Sequence, residues 1–485
     1  MDDYDVVIVG AGISGINAAY RLQSQFPNLR YAILEARTSL GGTWDLFRYP
    51  GIRSDSDLFT FGFEWYPWDQ DCAIADGHAI AAYVRNAARH HGIDQKIQYE
   101  QRMLGADWST EDRTWTLSVD HQGQVRSVSA RMVIFGTGYY DYNTPLQTEI
   151  PGLNNFEGQV IHPQFWPQDL DYTGKKMVVI GSGATAITLL PKLAEKASHV
   201  TMLQRSPTYI LSLPNNQRTW LSYILPTALY RKMQRISWMM TSRWFFLFCQ
   251  SFPSVARFIL RLQVWRQLPK GVPFEPHFRP RYNPWDQRLC VSPDGDFFKS
   301  LHEGRASIAT DTIREVTKTG ISISSGQHLE ADMIVTATGL RLQVAGGASL
   351  TVDGEPLHIA DKFLWHGLML QDLPNAIFVL GYANASWTLG ADATALFACR
   401  LLRELERRGA QAAVPRLTPK QAAQLKPQPL LTINSTYVLT AADSLPKAGD
   451  SGPWKPRNNY LEDVKFARNG NVDEAMEFVG EKKVQ

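Results

Sequence analysis

A glycine-rich turn between an apolar strand and a helix occurs twice in this chain, and this unit restricts the fold more than any other feature. The first copy begins with the apolar run YDVVIV over 4–9, and a helical pattern over 16–25 and a second strand pattern over 30–34 follow. The turn between the first strand and the helix carries Gly10, Gly12, Ser14 and Gly15. Strand, turn, helix and strand together predict a βαβ unit of a parallel sheet.

The glycines of this turn have different tasks. Gly10 permits the tight turn, Gly12 lets the backbone approach a pyrophosphate, and Gly15 lets helix and strand pack closely. The helix N-terminus supplies free N–H groups and the positive end of the helix dipole. Glu35, 20 residues beyond the last glycine, can accept hydrogen bonds from a ribose diol. The unit therefore predicts a site for flavin adenine dinucleotide (FAD); the alternative is a glycine-rich turn without a ligand.

The second copy differs at the position of the acid. A strand pattern over 176–180 leads into a helical pattern that ends at Leu193, and the next strand ends in Gln204 and Arg205. The turn and the start of the helix carry Gly181, Ser182, Gly183, Ala184, Thr185, Ala186 and Ile187. A carboxylate would repel a ribose 2′-phosphate, whereas Arg205 can pair with one. This copy therefore predicts an NADPH site, unless Arg205 is an ordinary solvated arginine.

Three further segments fit the same architecture. Strand patterns over 131–138 and 332–339 each run into a glycine turn, and a strand over 376–380 precedes a long helix over 389–408. We therefore expect an α/β fold with two Rossmann-like dinucleotide-binding domains, the second inserted into the first, together with a helical insertion. The predicted parts are an FAD-binding domain over 1–145 and 335–485, an NADPH-binding domain over 146–205 and 275–334, and an insert over 206–274. The chain beyond Ala410 is interpreted as loop.

The insert has an unusual composition. Residues 220–270 contain eleven aromatic residues, eight Lys or Arg, and no Asp or Glu. The pattern predicts two or three helices, interrupted at Pro226 and Pro253. The favoured interpretation is a cap over a catalytic cleft whose basic side chains reach water. The alternative, which is compatible with it, is a face that lies on an anionic membrane. We accordingly expect a cytoplasmic protein, and the membrane alternative would place it at the inner face of the membrane.

Composition excludes several other classes. The chain has 49 basic and 47 acidic residues, a formal charge of +2, so no nucleic-acid partner is expected. The four cysteines include no CxxC pair, and the two nearest are 41 residues apart. A disulfide oxidoreductase and a zinc ribbon are therefore unsupported, and no metal is expected. We find neither an apolar run of 18 residues nor the pattern of a signal peptide.

Two spaced motifs resemble the fingerprints of a known family. One is FxGxxxHxxxWP over 156–167, and the other is GGxWxxxxYPGxxxD over 41–55. Both are similar to motifs of the type I Baeyer–Villiger monooxygenases, which are class B flavoprotein monooxygenases. The segments RYPGIRSDSD (48–57), RPRYNPWDQRLC (279–290) and GYANASWTLGAD (381–392) resemble most the ethionamide-activating subgroup.

The resemblance implies roles for particular residues. Arg288 matches the catalytic arginine that stabilises the anionic peroxyflavin and the oxyanion of the tetrahedral adduct. Asp55 matches the carboxylate that orients this arginine and contacts the nicotinamide. His162 is interpreted as a packing residue. The remaining cofactor contacts that the resemblance implies are Ser14, Thr43, Trp44, Asp45, Leu46, Arg53, Ser54 and Met103 towards the first site, and residues 181–187, Arg205 and Ser206 towards NADPH. Gln287 departs from a lysine that commonly precedes the arginine in the cyclohexanone-type branch.

The resemblance also implies the reaction. An FAD- and NADPH-dependent enzyme inserts one oxygen atom from O2 next to the carbonyl of an apolar ketone and releases an ester or lactone. Sulfides and thioamides are further expected substrates. Two alternatives remain open, namely a flavin monooxygenase that oxygenates S or N atoms, and a non-catalytic membrane-peripheral protein that binds FAD and NADP. The oligomeric state stays open.

Overall fold

The computed structural model describes residues 2–431 and 433–481, and its larger sheet contains a parallel half of five strands. In spatial order these are Ile97–Gln98, Tyr31–Leu34, Asp2–Val9, Gln124–Phe135 and Ala376–Phe378. Numbered along the chain, this is the order 3-2-1-4-5 of a Rossmann-like sheet. The buried parts of the longer strands, such as residues 6–9 and 132–135, are apolar because both faces of this half are covered.

The strand Gln124–Phe135 joins the parallel half to an antiparallel extension. Its first half pairs with Thr114–His121, which in turn pairs with Arg102–Ser109. Burial alternates along Thr114–His121, as expected of a strand with one face towards the core. Short strands complete the sheet, with the bounds Ser349–Val352, Glu355–Pro356, Leu364–Trp365 and Met369–Leu370.

The second sheet has five strands, all parallel. In spatial order they are Ala306–Thr310, His199–Gln204, Lys176–Ile180, Met333–Thr336 and Gln159–Ile161. Beside it lie a three-stranded antiparallel sheet and a parallel pair, with the bounds Ile313–Thr317, Gly320–Ile323, His328–Glu330, Ile210–Leu213 and Cys290–Pro293. All five parallel strands fall between residues that belong to the first sheet.

Two chain segments connect the sheets and run side by side. The N–H of Asp141 donates to the carbonyl of Arg341 at 2.8 Å, and the N–H of Gln343 donates to that of Tyr139 at 3.0 Å. The chain thus leaves the first domain and returns to it at one place. The predicted fold class, two dinucleotide-binding domains with the second inserted into the first, is confirmed. The boundary predicted after residue 334 falls within the strand Met333–Thr336.

Each glycine turn leads into a helix. The first helix is Ile13–Gln25, and the second is Ala184–Leu193. Gly10 has φ +101° and Gly181 has φ +141°, a region that favours glycine. The other helices of the two domain bodies are Thr43–Leu46, Leu58–Phe61, Gly77–His90, Asp296–His302 and Trp387–Arg408.

The insert forms two consecutive helices, as predicted. They span Thr227–Ser251 and Pro253–Trp265, after a short 3-10 turn over Trp220–Tyr223. Pro253 occupies the first turn of the second helix, where its missing N–H costs nothing. Within the described residues, neither helix alone has the length and apolarity to cross a bilayer; the pair taken together does, but it is bent by 115°.

The expectation of loop beyond Ala410 is wrong. This part contains the strands Ala412–Pro415, Pro427–Gln428, Ala448–Gly449 and Met476–Val479, and the helices Pro419–Gln424, Thr436–Thr440 and Tyr460–Asn469. Asn459 caps the last of these helices by accepting from the N–H of Leu461. Phe466 from that helix stacks on Phe397 of the long helix. A short apolar stripe in this polar segment is sufficient to stabilise the helix, because the stripe packs on the long helix.

We expect Gly15→Ala to destabilise the protein. An added Cβ would lie 1.9 Å from the carbonyl oxygen of Gly10, so helix and strand would have to separate. Overpacking of this kind lowers the free energy of unfolding by about 1–3 kcal/mol. Chemical denaturation of the apoprotein measures this. The control is Gly12→Ala, whose Cβ meets nothing closer than the Cα of Gly42 at 3.6 Å; an equal loss in both variants would contradict the argument.

Candidate active site

One cavity of about 940 Å³ lies between the two domains. Residues of both glycine turns line it, as do the two connecting segments and the loop that carries Arg288. In each open parallel sheet the carboxyl ends of the strands form the place where ligands bind. Here the carboxyl ends of both sheets face the same cavity.

The first glycine turn opens onto this cavity. Gly10, Gly12 and Ser14 line it, whereas Gly15 does not. An added Cβ on Gly12 would find only ordinary contact distances, so packing within the protein does not require glycine at this position. Gly15 acts through packing, as its distance from Gly10 requires.

Glu35 lies at the end of the second strand and lines the cavity. Its carboxylate accepts from the N–H of Ala11 at 2.7 Å and from the N–H of Arg37 at 3.0 Å. Burial raises the pKa of Glu35, although these two N–H groups favour the ionised form. Each oxygen retains a lone pair for a ligand hydroxyl.

The residues after the double glycine 41–42 divide into two groups. Thr43 and Trp44 line the cavity. Asp45 does not, and it is buried in an ion pair with Arg37 at 2.8 Å. Leu46 also lies outside the cavity lining. Asp45 holds the turn in place rather than facing a ligand.

The second glycine turn is wider open than the first. An added Cβ on Gly183 would meet nothing within 4 Å. Residues 181–185 line the cavity, whereas Ala186 and Ile187 are buried in the core beneath it. The hydroxyl of Ser182 donates to the carbonyl of Ser206 at 2.8 Å, which joins the turn to the end of the next strand.

Arg205 lies beside this turn with its side chain exposed towards the cavity. Among the residues that the structure describes, no carboxylate lies within 4.0 Å of its guanidinium. Gln287 also lines the cavity, and its amide donates to the carbonyl of Asn434 at 3.2 Å. Arg205 is therefore the cation at this end of the cavity that is available to an anionic ligand.

Arg288 reaches across the domain boundary. Its Nη2 donates to the carbonyl of Tyr382 at 2.6 Å, and its Nε donates to that of Ala383 at 3.2 Å. Burial acts to lower the pKa of Arg288, but Tyr139, Asp55 and other neighbours outweigh it, so this pKa lies above its ordinary value. The guanidinium is thus a permanent cation in a fixed orientation.

Asp55 lines the same cavity but acts on Arg288 at a distance. Among the ion pairs of the described residues, none joins Asp55 to Arg288 within 4.0 Å. The orientation of Arg288 comes from the two carbonyls instead. Asp55 contributes negative charge to the surroundings of the guanidinium.

Arg53, two residues before Asp55, connects two loops. It forms an ion pair with Asp296, and its Nη2 donates to the carbonyl of Val291 at 3.1 Å. Asp296 also accepts from the hydroxyl of Ser292 at 2.8 Å. Although Arg53 lines the cavity, its guanidinium is committed to this contact between the Asp55 loop and the chain just after Arg288.

The YPG part of the same loop packs on the second domain. Gly51 has φ +76°, and an added Cβ would lie 2.5 Å from Cγ of Lys192. Burial raises the pKa of Tyr49 to about 12, while a hydrogen bond with Thr185 opposes the shift. The motif therefore makes the contact between the first domain and the helix that starts at the second glycine turn.

Sequence reasoning did not identify a group of aromatic residues around Arg288. The hydroxyls of Tyr139 and Tyr140 lie 2.8 Å apart, and Tyr139 stacks on Trp387 with ring centres 4.8 Å apart. The indole N–H of Trp387 donates to the hydroxyl of Ser14 at 2.9 Å. Tyr437 lines the cavity from the C-terminal part. No spacing in the sequence indicates Tyr437, which is 149 residues from Arg288.

Most of the predicted site residues come together. Met103, Ser54 and Ser206 line the cavity with those described above. His162 does not; its Nδ1 accepts from the N–H of Gln164 at 3.2 Å, in agreement with a packing role. The predicted residues that do not line the cavity are Gly15, Asp45, Leu46, Ala186 and Ile187.

The insert lies behind Arg288 and not over the cavity. No described residue between 209 and 286 lines the cavity. Leu260 is instead buried against Leu289, and Phe246 meets Trp285 edge-on with ring centres 5.6 Å apart. The insert therefore supports the loop that carries Arg288, in place of the cap that we expected.

Cys290 is the cysteine that lines the cavity. Burial raises the pKa of its thiol to about 12, so it stays protonated. All four cysteines are free. A thiolate-based disulfide exchange at this site is therefore unsupported.

Comparison with known proteins shows which proteins this chain resembles. A family model described as pyridine nucleotide-disulphide oxidoreductase matches residues 7–235. FAD-containing monooxygenase EthA of Mycolicibacterium smegmatis is 46% identical, over 98% of this chain and 96% of that protein. The probable FAD-binding monooxygenase AlmA of Acinetobacter baylyi is 43% identical, over 97% and 95%.

Two solved structures share the fold. The oxidised steroid monooxygenase bound to NADP has a TM-score of 0.77 at 21% identity, and it covers 98% of this chain and 99% of its own. The open form of cyclohexanone monooxygenase also has a TM-score of 0.77, at 19% identity, over 99% and 100%.

Two dinucleotide-binding domains that face one cavity, with an oriented arginine between them, define a two-dinucleotide flavoprotein. Sequence identity to the relatives, which extends over nearly the whole chain, narrows this class to one family. This chain belongs to the family of FAD-containing monooxygenases. The predicted resemblance and the predicted flavin monooxygenase class, with FAD as its cofactor, are confirmed.

We expect Arg53→Met to destabilise the protein at the contact between the Asp55 loop and the chain after Arg288. The substitution leaves Asp296 without its partner in a half-buried position, which costs about 2–3 kcal/mol of unfolding free energy after allowance for solvent. Chemical denaturation of the holoprotein measures the loss. In the double variant Arg53→Met/Asp296→Leu the unpaired charge is gone, so we expect most of the stability to return. A double variant as unstable as the single one would show that the ion pair is not the cause.

Proposed function

We propose that the chain catalyses the Baeyer–Villiger oxygenation of apolar ketones. One oxygen atom of O2 enters next to the carbonyl carbon, and an ester or lactone is released. The same site would oxygenate sulfides or thioamides. The observation that carries the proposal is the position of Arg288, a permanent cation aligned by two carbonyls in the cavity that both glycine turns share.

The residues present fit both dinucleotides. Gly12 and Gly183 leave room at the two helix starts, where backbone N–H groups would hold the pyrophosphates. Glu35 would bind the ribose of FAD, and Arg205 the 2′-phosphate of NADPH. The chemistry that the two cofactors would supply there is hydride transfer from NADPH and activation of oxygen by reduced FAD. The other contacts proposed for the cofactors are Ser14, Thr43, Trp44, Ser54, Asp55, Met103, Ser182, Thr185 and Ser206.

Arg288 would stabilise negative charge that develops on oxygen. A guanidinium does so without releasing a proton, because its pKa lies far above the working pH. The carbonyls of Tyr382 and Ala383 hold it in place before the reaction, so little reorganisation is needed. Tyr139, Tyr140 and Trp387 would exclude water beside it and so strengthen its electrostatic effect.

A second, smaller cavity beside Arg288 supports the proposed substrate class. It has a volume of about 40 Å³ and is lined almost entirely by apolar groups. Among them are Leu342, Leu364, Phe378, Leu430 and Ile433. A substrate carbonyl near the guanidinium would extend its alkyl part into these surroundings, which favours apolar ketones and sulfides.

Domain assignment and location belong to the same proposal. Residues 1–145 and 335–485 would bind FAD, and 146–205 and 275–334 would bind NADPH. We place the enzyme in the cytoplasm, in peripheral contact with the inner face of the membrane through residues 220–270. The exposed apolar and basic side chains of the two insert helices support this contact.

We expect Arg288→Ala to separate flavin reduction from oxygen insertion. Loss of one preorganised charge should lower the rate of ester formation by at least about 100-fold. Anaerobic bleaching of the flavin by NADPH should persist, because Arg205 and both glycine turns are intact. Product analysis with linear, cyclic and aryl ketones and with sulfides measures the first effect. Ester formation by Arg288→Ala at the unaltered rate would refute the role of Arg288. If the unmodified enzyme oxygenates sulfides or amines but no ketone, the result would favour a heteroatom monooxygenase.

We expect Arg205→Glu to impair the use of NADPH more than that of NADH. The carboxylate would repel the 2′-phosphate, so KM for NADPH should rise at least about tenfold. Steady-state kinetics with both coenzymes measures the change in preference. The control is Arg305→Glu, which alters an exposed arginine of the same domain outside the cavity. If both variants show the same KM, Arg205 does not contact the phosphate.

A further inference from the structure

The first insert helix presents an apolar stripe to solvent. Six side chains at spacings of three and four residues are each between 45% and 65% exposed, namely Leu229, Met233, Ile236, Met240, Trp244 and Leu247. Such spacing places them on one face of the helix. Apolar residues in this arrangement usually face a core, and here nothing in the described chain covers them.

The opposite side of this helix is fixed to the protein. Tyr230 and Gln234 are buried, and Nη1 of Arg235 donates to the carbonyls of Phe59 and Gly62 at 2.8 and 2.6 Å. The orientation of the helix is therefore determined by its attachment, and the apolar stripe is held outwards.

The second insert helix continues the surface. Phe258 and Trp265 are 65% and 64% exposed. Between residues 220 and 265 lie fourteen of the twenty large apolar side chains that are exposed in the described chain, and the other six are scattered. Exposed apolar side chains concentrated in one segment in this way mark an interaction site.

Charge identifies the partner. The exposed basic side chains of this surface include Lys232, Arg257, Arg261, Arg266 and Lys270. No Asp or Glu occurs from Lys196 to Phe274. In a symmetric dimer the same patch meets itself, so these cations would face one another. A surface of anionic phospholipid complements both the charge and the apolar side chains.

We propose that the two insert helices dock on a bilayer that contains anionic phospholipid. The apolar stripe enters the boundary between headgroups and acyl chains, with Trp244 and Trp265 in the headgroup layer and the basic side chains against the lipid phosphates. This extends the peripheral placement proposed above, names its lipid chemistry, and does not depend on the reaction catalysed.

Flotation of the holoprotein with lipid vesicles tests the proposal. We expect binding to vesicles of phosphatidylcholine with phosphatidylglycerol at least about tenfold stronger than to phosphatidylcholine alone, and lost in about 0.5 M NaCl. Trp244→Ser/Phe258→Ser should weaken binding at least about tenfold. Lys232→Gln/Arg257→Gln/Arg266→Gln should reduce binding to anionic vesicles to the level of neutral ones.

Controls separate docking from folding and from catalysis. Val125→Ser/Leu461→Ser alters two exposed apolar side chains elsewhere, 65% and 49% exposed, and should bind vesicles normally. FAD content and NADPH oxidation should be unchanged in every variant, because none of these residues lines the cavity. Equal binding to neutral and anionic vesicles, or no binding, would overturn the proposal. So would sedimentation showing a dimer that Trp244→Ser/Phe258→Ser dissociates.

Discussion

The guanidinium of Arg288 is held by the carbonyls of Tyr382 and Ala383, which belong to the other domain. This contact requires that the two sheets face each other across one cavity, since the arginine follows the insert while the carbonyls precede the long helix Trp387–Arg408. The position of the Arg288 guanidinium in the cavity and the arrangement of the two domains therefore depend on each other. A guanidinium presents several N–H groups in a fixed plane, so it can be oriented by carbonyls and still direct its charge towards a reacting oxygen.

Several contacts support this arrangement. Arg53 joins the Asp55 loop to the chain after Arg288, and Gly51 fits against the first helix of the second domain. The insert packs behind the same loop through Leu260 and Leu289. Family motifs that resemble ligand contacts in the sequence therefore also act as contacts between domains. Asp45, another residue of these motifs, also has a structural role, because it stabilises the double-glycine turn within the first domain through Arg37 without facing the cavity.

The insert combines two roles on its two sides. Its inner side supports the catalytic loop, and its outer side carries an apolar and basic surface with no acidic residue. The proposed docking of the outer side on lipid would bring a pool of apolar substrate close to the loop that carries Arg288. The expectation of a cap over the cleft was wrong because the apolar faces of these helices are divided between the protein and the solvent.

Local sequence sufficed for the two βαβ units. Within each unit the glycine turn, the strands and the terminal residue, Glu35 or Arg205, lie within about 35 residues of each other and act through backbone geometry. Local sequence also sufficed to predict different ribose partners, Glu35 and Arg205, for the two turns, and the resemblance sufficed to select Arg288. The partners of Arg288, the contribution of Tyr437 and the outward face of the insert depend on contacts between segments 90 or more residues apart. No local spacing encodes such contacts, since they arise when packing brings distant elements together. That is also why Arg53, which the motif places near a ligand, has Asp296, 243 residues away, as its partner.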